Sequence, residues 1–200
     1  MASIIEIKIP KALASILQIP INDNRRQQLR VLKKLLKKAR FTSFGQHYHF
    51  DQALLSKHPG KKFQELVPIH DYNKIYNEWW KQTLDGTPDV TWPGKIKYYA
   101  LSSGTSEAAS KYIPVTNDLL RSNMVNYLRQ LLSLVRYEQA NMRAMTKGFL
   151  MLGGATDLKK GKAGWYAGDL SGILAKRRPF WFQTFYKPGG RIAAISDWNQ

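Results

Sequence analysis

Between Leu101 and Thr116 the sequence reads Leu-Ser-Ser-Gly-Thr-Ser-Glu-Ala-Ala-Ser-Lys-Tyr-Ile-Pro-Val-Thr. Ser102, Ser103, Thr105 and Ser106 surround Gly104, and Lys111 follows five residues later. These residue types suit a polyphosphate. Glycine lets backbone amides turn inward, short hydroxyls donate to phosphate oxygens, and a lysine brings a point charge to the outer ones. By residue type alone such a cluster is more often an ordinary surface loop, because Ser, Thr and Gly are common turn formers. It is not a Walker loop: Lys111 has no glycine before it, and Gly-x-x-x-x-Gly-Lys-Ser/Thr occurs nowhere in the chain. Gly-x-Ser-x-Gly, His-Arg-Asp and His-Glu-x-x-His are also absent, which removes the common hydrolase, protein-kinase and metalloprotease signatures.

A loop of this kind must be held by its flanks. Ile96 to Leu101 is a strand-like run. Thr116, with Asn117 and Asp118 behind it, caps a helix expected to reach about Arg136, with Leu120, Met124, Leu128, Leu131 and Val135 along one side. The prediction is therefore strand, loop, helix. Upstream, residues 24–40 carry eight Lys/Arg and no acid, with Leu32, Leu35, Leu36 and Ala39 at helical spacing. That pattern reads as the solvated face of a packed helix; a phosphate-tracking or membrane-surface helix is the alternative.

Asp71 to Lys81 reads as a further helix bearing Tyr72, Ile75, Tyr76, Trp79 and Trp80, and Asp85–Pro88 and Trp92–Gly94 as turns. His47, His49, His58 and His70 match no zinc spacing, and no metal site is assigned within the chain. Downstream, Phe149 to Leu152 is expected as a buried strand, 155–172 as a Gly- and Lys-rich loop or flap, and 173–200 as a return to apolar sequence. Ser196 is placed to cap a helix, so residues 1–200 are expected to be an incomplete N-terminal domain, truncated at its C-terminus.

Composition narrows the classes. With 44% hydrophobic residues the chain is too apolar for disorder, and with no cysteine it has neither a disulfide framework nor a thiolate metal site. No apolar run approaches the ~18 residues of a membrane span, and the isoleucines of the N-terminus are broken by Glu6 and Lys8. A cytoplasmic protein is expected. The net charge of +17 opens a nucleic-acid reading. Its even spread, +9 in residues 1–100 and +8 in 101–200, argues against a dedicated nucleic-acid module.

Ser102-Ser103-Gly104-Thr105-Ser106 with Lys111 and Pro114 resembles the phosphate-binding signature of the auxin-responsive promoter (Gretchen Hagen) family of acyl-acid amido synthetases, within the adenylate-forming superfamily. Thr42 to Phe50, Phe63 to Tyr72, Gly168 to Ile173 and Asp197-Trp198 agree in order, and the resemblance spans about residues 25–200. One position departs: Ala108 stands where family members commonly have glycine, with Glu107 beside it.

The resemblance implies an α/β fold, part of a large N-terminal domain in which a helical segment precedes strand-loop-helix units. It implies ATP and Mg2+ as cofactors and a small carboxylic acid and an amine, such as an amino acid, as substrates. Ser102, Ser103, Gly104, Thr105, Ser106 and Lys111 would bind the ATP phosphates, with Lys111 catalytic. An acyl pocket beside the loop would draw on Tyr99, Val125 and Arg129. The competing readings are a basic, non-enzymatic module for RNA or anionic surfaces, and an inactive fragment.

Overall fold

In the computed structural model, residues 24–102, 111–136, 148–150, 153, 155–178, 186–187 and 189–195 are described. The first helix, α1 (Asn24–Ala39), buries Leu36 and Ala39 and leaves its cations in water. Three short helices follow: α2 (Ser43–His47), α3 (Phe50–Leu55) and α4 (Pro59–Leu66). A compound helix comes next, with α5 (Tyr72–Ile75), a π-helical turn (Tyr76–Trp80) and α6 (Lys81–Leu84) in succession.

The corner between α1 and α2 shows why the sequence Thr-Ser-Phe-Gly is needed there. Thr42, 1% exposed, donates its hydroxyl to the Ala39 carbonyl (2.7 Å) and accepts the Gly45 amide (3.0 Å), ending one helix and capping the next. A Cβ on Gly45 would lie 2.1 Å from the Ala39 carbonyl oxygen, so only glycine fits. Phe44, Phe63 and Trp92 then pack on the core of Leu36, Ala39, Phe50 and Ala53.

Strand β1 (Tyr98–Ser102) and strand β2 (Lys111–Val115) form an antiparallel hairpin, and the long helix α7 (Asn117–Arg136) starts one residue later. Beyond it lie β3 (Phe149–Leu150), β4 (Lys159–Lys160), β5 (Tyr166–Gly168), α8 (Leu170–Lys176), β6 (Tyr186–Lys187) and α9 (Gly190–Ala193). The main sheet has the order β2-β1-β5-β4; β5 runs parallel to β1, and β4 antiparallel to β5. β3 and β6 pair in parallel as a separate ribbon.

Alternation along β1 sorts the sheet into two buried faces. Ala100 and Val115 join Leu158 and Ile173, with Leu120 of α7 packed on them. Tyr99 joins Ile96 and Ala167 on the other face, under Leu84, Tyr112 and Trp165. Helices thus cover both sides, as an α/β layering requires. Full burial of a residue such as Ile173 stabilises this arrangement by about 1.5–3 kcal/mol.

Three sequence expectations need correction. Residues 155–172 are not an unstructured flap: they supply β4, β5 and the start of α8. The strands are two and three residues long, too short to show a period of two in the sequence, and only the pairing of β5 with β1 and of β4 with β5 defines them. The expected buried strand 149–152 is, over its described part, the outlying ribbon strand β3, where Leu150 is 70% exposed. Lys111 stands in a strand rather than in the loop, so the unit is strand, loop, strand, helix. Ser196, expected as a helix cap, lies outside the described residues.

Candidate functional site

The hairpin register places Ser102 directly opposite Lys111. Residues opposed across an antiparallel pair project from the same face, with Cβ atoms about 4.5–5.5 Å apart. Ser102 and Lys111 therefore stand side by side where the chain enters and leaves residues 103–110. They share the sheet face of Ala100 and Val115, the face on which α7 packs. The remaining predicted phosphate-binding residues, Ser103, Gly104, Thr105 and Ser106, and the departure at Ala108, lie outside the described residues.

Lys111 is exposed, and its side chain is nonetheless placed: Nζ lies 5.0 Å from the ring centroid of Tyr72. The Tyr72 hydroxyl accepts the Tyr112 amide of β2 at 2.9 Å. Among the described strands β2 lies at the edge of its sheet, and there this phenol satisfies a backbone donor that β1 does not. Pro114 is tolerated in β2 for the same reason, since an edge position does not demand its missing N–H. Sequence reading placed Tyr72 on a helix without linking it to Lys111. No local signal could have done so, because a separation of forty residues lies between the phenol and the amide it accepts.

Tyr99, expected at the entrance of an acyl pocket, is a core residue with 0% exposure. Its ring meets Trp165 and Tyr112 edge-on, and its hydroxyl donates to Thr83 Oγ1 at 2.7 Å. Burial, foremost, pushes its pKa up to about 12, opposed by the Thr83 bond. Val125 and Arg129 are half-buried on α7. The Arg129 Nε is buried and finds no hydrogen-bond acceptor among the described residues. A buried guanidinium donor without a partner invites an anion.

At the other end of the hairpin, around the start of α7, a cavity of about 240 Å³ is lined by Lys38, Lys95, Lys97 and Arg121 together with Asp118. Asp118 is engaged there: it accepts from Lys38 Nζ at 2.7 Å and from Trp92 Nε1 at 2.9 Å. The Lys38 bond, then that of Trp92, holds its carboxyl below the usual range. This joins α1, the turn before β1 and α7. The sequence expectation had none of this cavity, because its lining comes from three separate stretches of chain.

Residues 17–200 match the N-terminal domain of the GH3 family. The chain belongs to the GH3 family. No curated protein matches it. Among solved structures, the GH3.15 acyl acid amido synthetase superposes with a TM-score of 0.68 at 20% identity, over 94% of this chain and 31% of that one. A second, the AtGH3.15 acyl acid amido synthetase in complex with 2,4-DB, gives a TM-score of 0.66 at 21% identity, over 95% and 32%. This GH3 chain thus spans about a third of the length of these structures. At such identity the likeness establishes the shared α/β fold alone, and family membership rests on the domain match. Among the described residues, no helix of this GH3 chain is long and apolar enough to cross a membrane.

Proposed function

We propose that this GH3 domain is the phosphate-binding part of an ATP-dependent acyl acid amido synthetase, acting in the cytoplasm. The observation that carries the reading is the pairing of Ser102 with Lys111 at the mouth of residues 103–110, the Ser-Gly-Thr-Ser stretch. A hydroxyl and an ammonium on one face of a rigid hairpin form a donor set for an anion, and the chemistry of a triphosphate tail matches it.

In the proposed reaction the carboxylate of a small acid attacks the α-phosphorus of ATP. The bond to the β,γ-unit breaks, leaving an acyl-adenylate and pyrophosphate. An amine, such as that of an amino acid, then attacks the acyl carbon and displaces AMP. A carboxylate is already nucleophilic, so the loop has no proton to remove. Its work is to offset charge gathering on the departing pyrophosphate, with donors from Ser102, Ser103, Thr105 and Ser106, the flexible backbone at Gly104, and Lys111. Mg2+ would share that charge when bound, and we assign it no ligand in this chain. Arg129, whose Nε has no acceptor among the described residues, is assigned to the carboxylate of the acid, and Val125, one helical turn earlier, to its apolar part.

The decisive experiment is pyrophosphate release by the full-length protein, given ATP and a panel of carboxylic acids, with and without Lys111→Ala. Loss of one charge-stabilising donor is expected to lower the rate by about 10²–10³-fold. An unchanged rate would remove the phosphate-binding role.

A further inference from the structure

We infer that Tyr72 is a positioning residue for Lys111, holding the lysine ammonium over its ring where β2 emerges from residues 103–110. This rests on the reading of Lys111 as a phosphate-binding group, and it adds a residue to which that reading gives no role.

Three observations converge. The Lys111 ammonium lies 5.0 Å from the Tyr72 ring centroid, within the range at which the negative face of an aromatic ring attracts a cation. The ring is itself fixed at two points. Its hydroxyl accepts the Tyr112 amide, so it is tied to the residue after Lys111 on the same strand. Its other contacts are with the compound helix, stacked on Tyr76 (5.5 Å, 21° between planes) and edge-on to Trp80 (6.2 Å). That helix is fixed at its start by Asp71, which accepts the Lys74 amide at 2.7 Å. Burial raises the Tyr72 pKa, so the phenol stays neutral and it is the π-face rather than a phenolate charge that meets the lysine.

A lysine has a long, flexible stem, and restricting that stem costs entropy whenever a ligand is bound. An ammonium already resting on a fixed ring has lost part of this freedom before the phosphate arrives. Tyr72 thereby acts through Lys111 without touching substrate.

The test uses the full-length protein, with the KM for ATP in pyrophosphate release and, separately, the Kd for inorganic pyrophosphate as readouts. Tyr72→Leu removes the ring. A comparison of Tyr72→Phe with pentafluorophenylalanine at position 72 keeps the shape and inverts the ring's electrostatics. Both Tyr72→Leu relative to wild type, and the fluorinated ring relative to Phe, are expected to raise KM and Kd about 3–10-fold, with kcat moving less. In a Lys111→Ala background both effects should vanish. The inference is overturned if the fluorinated and ordinary rings behave alike, or if Tyr72→Leu costs as much without Lys111 as with it. Should Tyr72→Leu fail to fold, the fluorinated pair decides alone. A Lys111→Ala protein that binds pyrophosphate as wild type does would instead overturn the phosphate-binding reading itself.

Discussion

Two regions of the molecule carry positive charge in opposite ways. Helix α1 and the residue after it present eight exposed cations spread along the chain, of which Lys38 is paired with Asp118 and Arg40 lies over Phe41. The hairpin mouth presents one, Lys111, held on the Tyr72 ring beside Ser102. Exposed charges of the first kind are screened within about 8 Å at physiological salt, and each contributes little to stability or selectivity. Under the proposed function, a single cation held on a ring next to Ser102 would distinguish one anion geometry from another. Placement, more than number, separates a chemical site from a solvated face.

The largest expected effect tests that contrast directly. Lys111→Ala should lower pyrophosphate release by the full-length protein about 10²–10³-fold, whereas replacing Lys33, Lys34 and Lys37 of α1 together by Gln should leave it within about twofold. Equal losses from the two variants would erase the distinction. Next in size is the half-buried guanidinium of α7: Arg129→Gln should raise the KM for the carboxylic acid about 10-fold or more, with the KM for ATP little changed. An effect on ATP alone would move Arg129 to the nucleotide.

The inner side of the hairpin sharpens the comparison through stability. Tyr99 titrates near 12 in the fold against about 10 when unfolded, so its contribution is complete below pH 10 and is lost as pH rises from 10 to 12. About 2–3 kcal/mol should disappear across that window, read as the urea midpoint of the wild type against Tyr99→Phe. Parallel curves for the two proteins would acquit Tyr99. Smaller again, Thr42→Ala should cost about 1–2 kcal/mol by removing the cap at the α1–α2 corner, visible as a lowered midpoint in the same assay.

The smallest effect belongs to the charge-rich region. Asp118 has a depressed pKa in the fold, so its contribution is present above the ordinary carboxylate range and fades as pH falls through the folded value. Its bridge to Lys38 is more than a third exposed on both sides, and Asp118→Asn should cost no more than about 1 kcal/mol at neutral pH. A larger loss in urea titrations would show that α1 is anchored far more firmly through this contact than its exposure implies.

Much of the helical framework was legible beforehand. The cap at Thr116 and the apolar row of α7 were sufficient to locate that helix, because capping and a period of 3.6 are local properties. The strand before the loop was found within two residues for the same reason. β4 and β5 were missed, since strands of two and three residues have no pattern of their own. Tyr99 was assigned to a pocket on its nearness in sequence to the loop, but alternation turned it into the core.

The sequence by itself determined the family and the strand and helix that flank the loop, which are written in neighbouring residues. Only the tertiary structure decided which groups meet. Ser102 and Lys111 face each other because strand register sets them opposite. Tyr72 reaches Lys111, and Asp118 reaches Lys38 and Trp92, because packing closes gaps of tens of residues. Propensity and periodicity act over a turn or two of chain; contacts between distant side chains depend on how the layers fit, which no local pattern encodes.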